Sequence, residues 1–386
     1  MGAAGGTRSE RGRPTAPERR EALLMAVALV ALTAAGWLVL TLLVAPQGYA
    51  LDDTSVFGVG LGLTAFLLGM RHAFDADHIA AIDNTTRKLL AERPPGGRRP
   101  LSVGFWFALG HSSVVLVLVA LIAAGINAIA GEVSDDDSAL KQIGGLVSTG
   151  ASGLFLVLIG LVNLVILVQV LKVFRGMRSG RFDEAALQEQ LDKRGLMNRI
   201  LGRATRAVRR PWHMYPVGLL FGLGFDTATE VTLLVIAGGA AAEALPWYAV
   251  LVLPVLFAAG MSLFDTLDGA FMCFAYDWAF LRPVRKVFYN ITITALSVAV
   301  ALVIGLIELV SLLADKLGID SGPLGWIAGL DLDQVGFVVV GLFVVTWVVA
   351  LLVWHLGRVE DRWSAGLRPD PGTKPPTGNS ASCRGH

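Results

Sequence analysis

The sequence predicts an all-α integral membrane protein of eight transmembrane helices with both termini in the cytoplasm. Three observations carry this. The 386-residue chain is 54% hydrophobic and only 16% charged, where a soluble domain is nearer about 25% charged. Its apolar residues gather into runs that match the roughly 20 residues a bilayer core requires. Its lysines and arginines fall on alternate connections. Of 32, 29 lie on one side and two (Lys141 and Lys316) on the other, while Arg71 sits within a run. That bias marks the cytoplasmic side.

The runs are Ala22–Ala45, Val56 to about Thr86, Leu101–Ala130, Ile143–Leu171, Tyr215–Ala237, Ala244–Tyr276, Val287–Leu313 and Val335–Trp354. Five arginines precede the first, and Arg87, Lys88, Arg93, Arg98 and Arg99 follow the second. Eleven basic residues lie between Lys172 and Arg210, and Arg282, Arg285 and Lys286 follow the sixth run. The opposite connections carry the acidic runs Asp135–Asp137 and Asp331–Asp333. The expected organisation is a disordered cytoplasmic tail over 1–20, a transport-type membrane domain over 21–365 with a large cytoplasmic loop at 173–211, and a second disordered tail over 366–386. Arg19-Arg20 before the first run could suggest a secretion signal. The run is too long and lacks a small-residue cleavage site, so it reads as a retained span. Residues 183–208 fit either a surface helix or a solvated loop.

Net charge is +1, which gives no pull toward nucleic acid. Cys273 and Cys383 form neither a disulfide framework nor a thiolate metal motif. No phosphate-binding Gly-x4-Gly-Lys-Ser/Thr loop is present, so ATP is not the energy source written in this chain. Nothing calls for a prosthetic group.

The informative residues are ionisable ones inside the runs, because they are costly in lipid and mark pathways or sites. The second run carries His72, Asp75, Asp77 and His78, followed by Asp83 and Asn84. At helical pitch, His72, Asp75 and His78 fall within roughly 120° of arc, with Asp77 and Asn84 on another face. A break in this helix would let all four signature residues converge, as in transporters with interrupted helices. Imidazole with carboxylate suits Ni²⁺, Co²⁺ or Zn²⁺, where carboxylates alone would favour Mg²⁺ or Ca²⁺. The bland alternative is a His–Asp network that only ties helices together. His111 follows Gly110 in the third run and fits either a ligand or a packing residue. Asp226, Thr227 and Glu230 in the fifth run, and Asp265 and Asp268 in the sixth, could line a path, act as gates, carry protons or pair with Arg71. His213 and His355 sit at run ends and read as interfacial.

Together these clusters resemble the nickel/cobalt transporter family of secondary permeases. Its His-x4-Asp-His signature is similar to His72 through Asp77-His78, and its Gly-His-Ser-x-Val-Val element to Gly110–Val115. Its Leu-Gly-x-Asp-Thr-x-Thr-Glu element is similar to Leu223–Glu230, and its Gly-Met-x-x-x-Asp-Thr-x-Asp element to Gly260–Asp268. Ser113 stands where Thr is common, and keeps a hydroxyl. The resemblance implies uptake of Ni²⁺ or Co²⁺ across the cell membrane, with His72, Asp75, Asp77 and His78 selecting the metal, and leaves the other three motifs divided between ligation, gating and structure; the expected site adds His111, approaching from the third run.

Two further readings follow. Gly69-Met70 with Phe74-Asp75 and Asp77 is similar to Gly260-Met261 with Phe264-Asp265 and Asp268, which would make a 4+4 repeat with its axis along the membrane normal. The spacing of His72 and Asp77 also fits the dyad of a membrane acyltransferase. That leaves His111, Asp226, Glu230, Asp265 and Asp268 without work. An exporter or metal sensor could use the same site.

Overall fold

The computed structural model describes residues 14–50, 56–94, 97–123, 138–178, 208–224, 245–279, 283–319, 321–330 and 335–356. Residues 1–13 of the expected tail over 1–20, the expected tail over 366–386, the bulk of the large loop, and both acidic runs lie outside them. Among the described residues the chain is helical, with one isolated antiparallel bridge between Ala50 and Val56.

Helix α1 (Ala16–Val39) continues through a π turn (Leu40–Val44) into a 3-10 turn (Ala45–Gln47). Helices α2 (Val59–His72) and α3 (Ala76–Ala91) together occupy the second apolar run. Then come α4 (Val103–Ala123), α5 (Ala139–Arg178), α6 (Met214–Phe221), α7 (Trp247–Ala279), α8 (Pro283–Leu317), α9 (Gly322–Ala328) and α10 (Val335–Leu356). Among the described residues, five stretches are long and apolar enough to cross a membrane: Ala16–Gln47, Val103–Leu121, Gln142–Val168, Trp247–Ala275 and Thr294–Leu317. Exposed Leu23, Leu24, Val27 and Val30 on α1 form the kind of apolar surface that lipid covers.

Three boundaries differ from expectation. Helix α1 begins at Ala16, inside the tail expected to be disordered over 1–20. Helix α5 runs to Arg178, past the expected start of the loop at 173. Arg87 and Lys88, expected in a connection, lie on α3 and are buried. Every residue of α3 from His78 to Leu90 is buried, so this helix runs inside the bundle.

Glycine sets how closely α7 approaches its neighbours. A Cβ on Gly69 would collide with the Phe257 carbonyl, and one on Gly260 with the Phe66 carbonyl. The contact is therefore reciprocal, and a side chain at either position would force α2 and α7 apart. Contacts from Gly62 with Leu256 through to Phe74 with Phe264 advance along both chains, so the two helices run the same way. Helix α7 also packs along α4, α4 along α6, and α5 along α8. Helix α3 touches α4, α5, α7, α8 and α10.

Candidate metal centre

The site begins where the second apolar run breaks. Phe74 N–H donates to Arg71 O and Asp75 N–H to His72 O, each at 2.9 Å, and these turns end α2. Asp75 then adopts extended backbone at the cap position of α3. Aspartate is favoured there because its carboxylate can accept unpaired helix N–H groups. Here it makes no capping bond; it faces His72 Nδ1 at 2.8 Å. Asp77 takes the capping work instead: its Oδ1 accepts the His78 N–H at 2.9 Å, with its charge at the positive end of α3.

His72 from α2, His78 from α3 and His111 from α4 meet as three mutually adjacent rings. Their centroids are 4.7 Å (His72–His78), 5.0 Å (His72–His111) and 4.9 Å (His78–His111) apart. One ring nitrogen from each lies within 4.8 Å of the others. His72 Nε2 is 3.2 Å from His111 Nε2. Asp265 of α7 reaches His78 Nδ1, at 3.3 and 3.5 Å from its two oxygens.

An ionised carboxylate only accepts, so the nitrogens facing Asp75 and Asp265 carry the protons. The Nε2 atoms of His72 and His78 are then lone-pair donors. His78 Nε2 is buried with no hydrogen-bond partner among the described residues. A carboxylate behind a ring that ligates through its other nitrogen is the usual support of a metal-binding histidine. Metal–imidazole bonds of about 2.1 Å place tetrahedral donors roughly 3.4 Å apart, so a small inward movement would bring the three nitrogens onto one ion. Phe107 packs edge-on against His78 at 4.8 Å, and Phe257 lies 5.8 Å from His72. His78 and His111 are buried, while His72 keeps 16% of its side chain accessible and marks the open side.

The remaining expected residues divide. Asp83 and Asn84 belong to a second buried network further along α3. Arg87 donates to Thr294 Oγ1 at 2.8 Å and to Ser297 Oγ at 3.0 and 3.2 Å, and Ser297 Oγ donates to Asp83. Asn84 Nδ2 donates to Ala80 O at 2.8 Å, and Asn163 Nδ2 donates to Asn84 Oδ1 at 2.8 Å. Asp268 lies within electrostatic range of Asp83 and Asp265, with one oxygen unpartnered among the described residues. Asp226, Thr227 and Glu230 lie outside those residues, as does the side chain of His355. His213 is at the protein surface beside Trp212, with ring centroids 4.2 Å apart.

Five residues were not singled out in the sequence: Arg87, Thr294, Ser297, Asn163 and Glu308. Arg87 looked like a loop residue because it borders a basic connection. Ser297 and Thr294 are common in membrane helices and carry no signal alone. Glu308 was legible: it is the single acidic residue within Val287–Leu313, and it is buried.

A sequence profile of the family described as high-affinity nickel-transport protein matches residues 58–353. The nickel transporter NicT of Mycobacterium tuberculosis is 59% identical over 341 residues, spanning 88% of this chain and 90% of that protein. The nickel transporter NixA of Staphylococcus aureus is 47% identical over 305 residues, spanning 79% and 88%. The cobalt transport protein NhlF of Rhodococcus rhodochrous is 44% identical over 313 residues, spanning 80% and 87%. No solved structure matches.

Proposed function

The chain belongs to the high-affinity nickel-transport family, and from that premise we propose that it is a secondary permease that takes up Ni²⁺ or Co²⁺ across the cell membrane. Membership of a family of transport proteins removes the acyltransferase reading of His72 and Asp77. In the proposed arrangement eight spans cross the bilayer with both termini cytoplasmic. The interrupted second span stands opposite the sixth as halves of a 4+4 repeat. The observation that carries the reading is the meeting of His72, His78 and His111 nitrogens from three helices.

The substrate ion is held by these three imidazoles. Asp75 and Asp265 orient His72 and His78 from behind, and Asp77 fixes the first turn of α3 that carries His78. Three neutral nitrogens leave the bound ion its full charge. A membrane potential of 100 mV is worth about 2.3 kcal/mol per charge. A divalent ion therefore gains about 4.6 kcal/mol, roughly a thousandfold accumulation, without a coupled proton.

The test is radiolabelled Ni²⁺ and Co²⁺ uptake by cells expressing the chain, each metal competing with the other. Saturable uptake of either metal is expected, abolished by collapsing the membrane potential. Absence of uptake of both, at verified membrane insertion, would sink the reading. Reporter fusions after Arg99, Arg210 and Arg358 should be active in the cytoplasm and those after Asp137 and Asp331 silent; activity at either of the last two removes the eight-span arrangement.

A further inference from the structure

Met261 of α7 is a buried residue to which the imidazole site has so far given no role. It is 0% exposed and belongs to the apolar cluster that includes Phe257 and Ala73. The residues one turn to either side of it both meet the histidines. Phe257, four residues before, has its ring centroid 5.8 Å from that of His72. Asp265, four residues after, lies 3.3 Å from His78 Nδ1. Residues four apart share a helix face, so Phe257, Met261 and Asp265 follow one another within about 80° of arc.

The contacts flanking that face fix which way it looks. Gly260 is packed on α2, where an added Cβ would collide with Phe66 O, and Gly269 is packed on α4, where it would lie 3.0 Å from Gly104 N. Met261 lies about 100° round the helix from Gly260 and about 80° from Gly269 on the other side. It therefore faces the wedge between α2 and α4. Helix α2 ends in His72 and α4 carries His111. His78 enters the same wedge from α3, its ring 4.8 Å from that of Phe107 on α4. Three imidazole nitrogens leave at least one position open on a four-coordinate ion. An unbranched thioether side chain, free to turn about three bonds, is suited to reach such a gap.

We propose that Met261 contacts the transported ion, its Sδ completing a site of three nitrogens and one sulfur. The proposal rests on the uptake reading and deepens it. A neutral sulfur, like the three neutral nitrogens, leaves the ion its full charge. It also sharpens selection, because imidazole with thioether suits late first-row ions, whereas Mg²⁺ and Ca²⁺ call for oxygen ligands.

The test is X-ray absorption at the nickel edge, with equilibrium Ni²⁺ binding alongside, on the purified full chain in detergent. Metal–sulfur bonds are about 0.2–0.3 Å longer than metal–nitrogen bonds, so the two shells separate. The wild type should show imidazole scattering and a sulfur shell. Met261→Leu is close in volume and of a kind that cores tolerate. It should keep the imidazole shell, lose the sulfur shell and bind Ni²⁺ about tenfold more weakly, with the metal-free chain unfolding near the wild-type temperature. A wild type without a sulfur shell would overturn the proposal. So would a sulfur shell that persists in Met261→Leu, or wild-type Ni²⁺ affinity in that variant. If Met261→Leu does not insert, Met261→Gln, which is also unbranched and lacks sulfur, decides by the same loss or persistence of the shell. Imidazole scattering without sulfur leaves the histidine reading standing. A wild-type chain that binds Ni²⁺ without imidazole, or binds none, defeats that reading and this proposal with it.

Discussion

Helix α3 carries a buried polar cluster toward each end, and the two are built on opposite rules. Toward the Arg87 end, the charged groups Arg87 and Asp83 face partners of the opposite kind. The guanidinium of Arg87 is used by Thr294 and Ser297, the Ser297 hydroxyl by Asp83, and the Asn84 amide by Ala80 and Asn163. Toward the His78 end, ring nitrogen faces ring nitrogen, and His78 Nε2 is buried with no hydrogen-bond partner among the described residues. A balanced network rigidifies the helices it joins. A network with surplus acceptors is completed by a cation. Burial alone therefore does not separate a structural polar cluster from a binding one; the donor count does.

The difference can be broken at several points. The largest effect should come from His72→Ala or His78→Ala, each abolishing Ni²⁺ and Co²⁺ uptake while the protein still inserts. His72→Asn sharpens this, since it keeps a hydrogen-bonding side chain. A His72→Asn variant that binds and transports metal like wild type would make the cluster helix glue, like its counterpart.

Next is Arg87→Ala, which removes the cation 4.0 Å from the buried Asp83 carboxylate and should cost about 3–5 kcal/mol of stability. The readout is a large drop in unfolding temperature of the purified chain in detergent. An unchanged melt would mean the inner network does not hold α3 to α8. Asp75→Asn and Asp265→Asn should act more mildly, lowering metal affinity roughly 10- to 100-fold as losses of orienting partners do, with little change in unfolding temperature. Equal loss of stability and affinity in either variant would blur the distinction between the two clusters. The smallest effect is expected from His213→Ala, at the surface beside Trp212, with uptake at wild-type level.

Much of the site was legible because its chemistry is costly. Histidine and aspartate seldom enter a lipid-spanning run without a purpose, so His72, Asp75, Asp77, His78 and Asp265 stood out against their apolar neighbours. The similarity of the Gly69-Met70 and Gly260-Met261 segments was also visible. Its physical meaning was not: each glycine admits the backbone of the opposing helix, which seats Phe74 against Phe264. Arg87 was misplaced because hydropathy puts a charge at the edge of a span, whereas α3 carries it into the bundle where Thr294 and Ser297 solvate it.

The sequence by itself determined the membrane setting, the gathering of histidine and aspartate in one apolar run, and the family. Each follows from composition or from residues close together in the chain. Only the tertiary structure decided how the four signature residues divide their work. On one continuous helix, Asp75 shares a face with His72 and reads as a ligand beside it. The break at Ala73–Asp75 turns the Asp75 carboxylate back onto His72 Nδ1, sends Asp77 to the backbone of His78, and leaves His78 to Asp265 from α7, 187 residues away. Local pitch fixes which residues neighbour one another on a helix. It does not fix which nitrogen of a ring a distant carboxylate will claim, and that choice leaves Nε2 of His72 and His78 as the donor atoms.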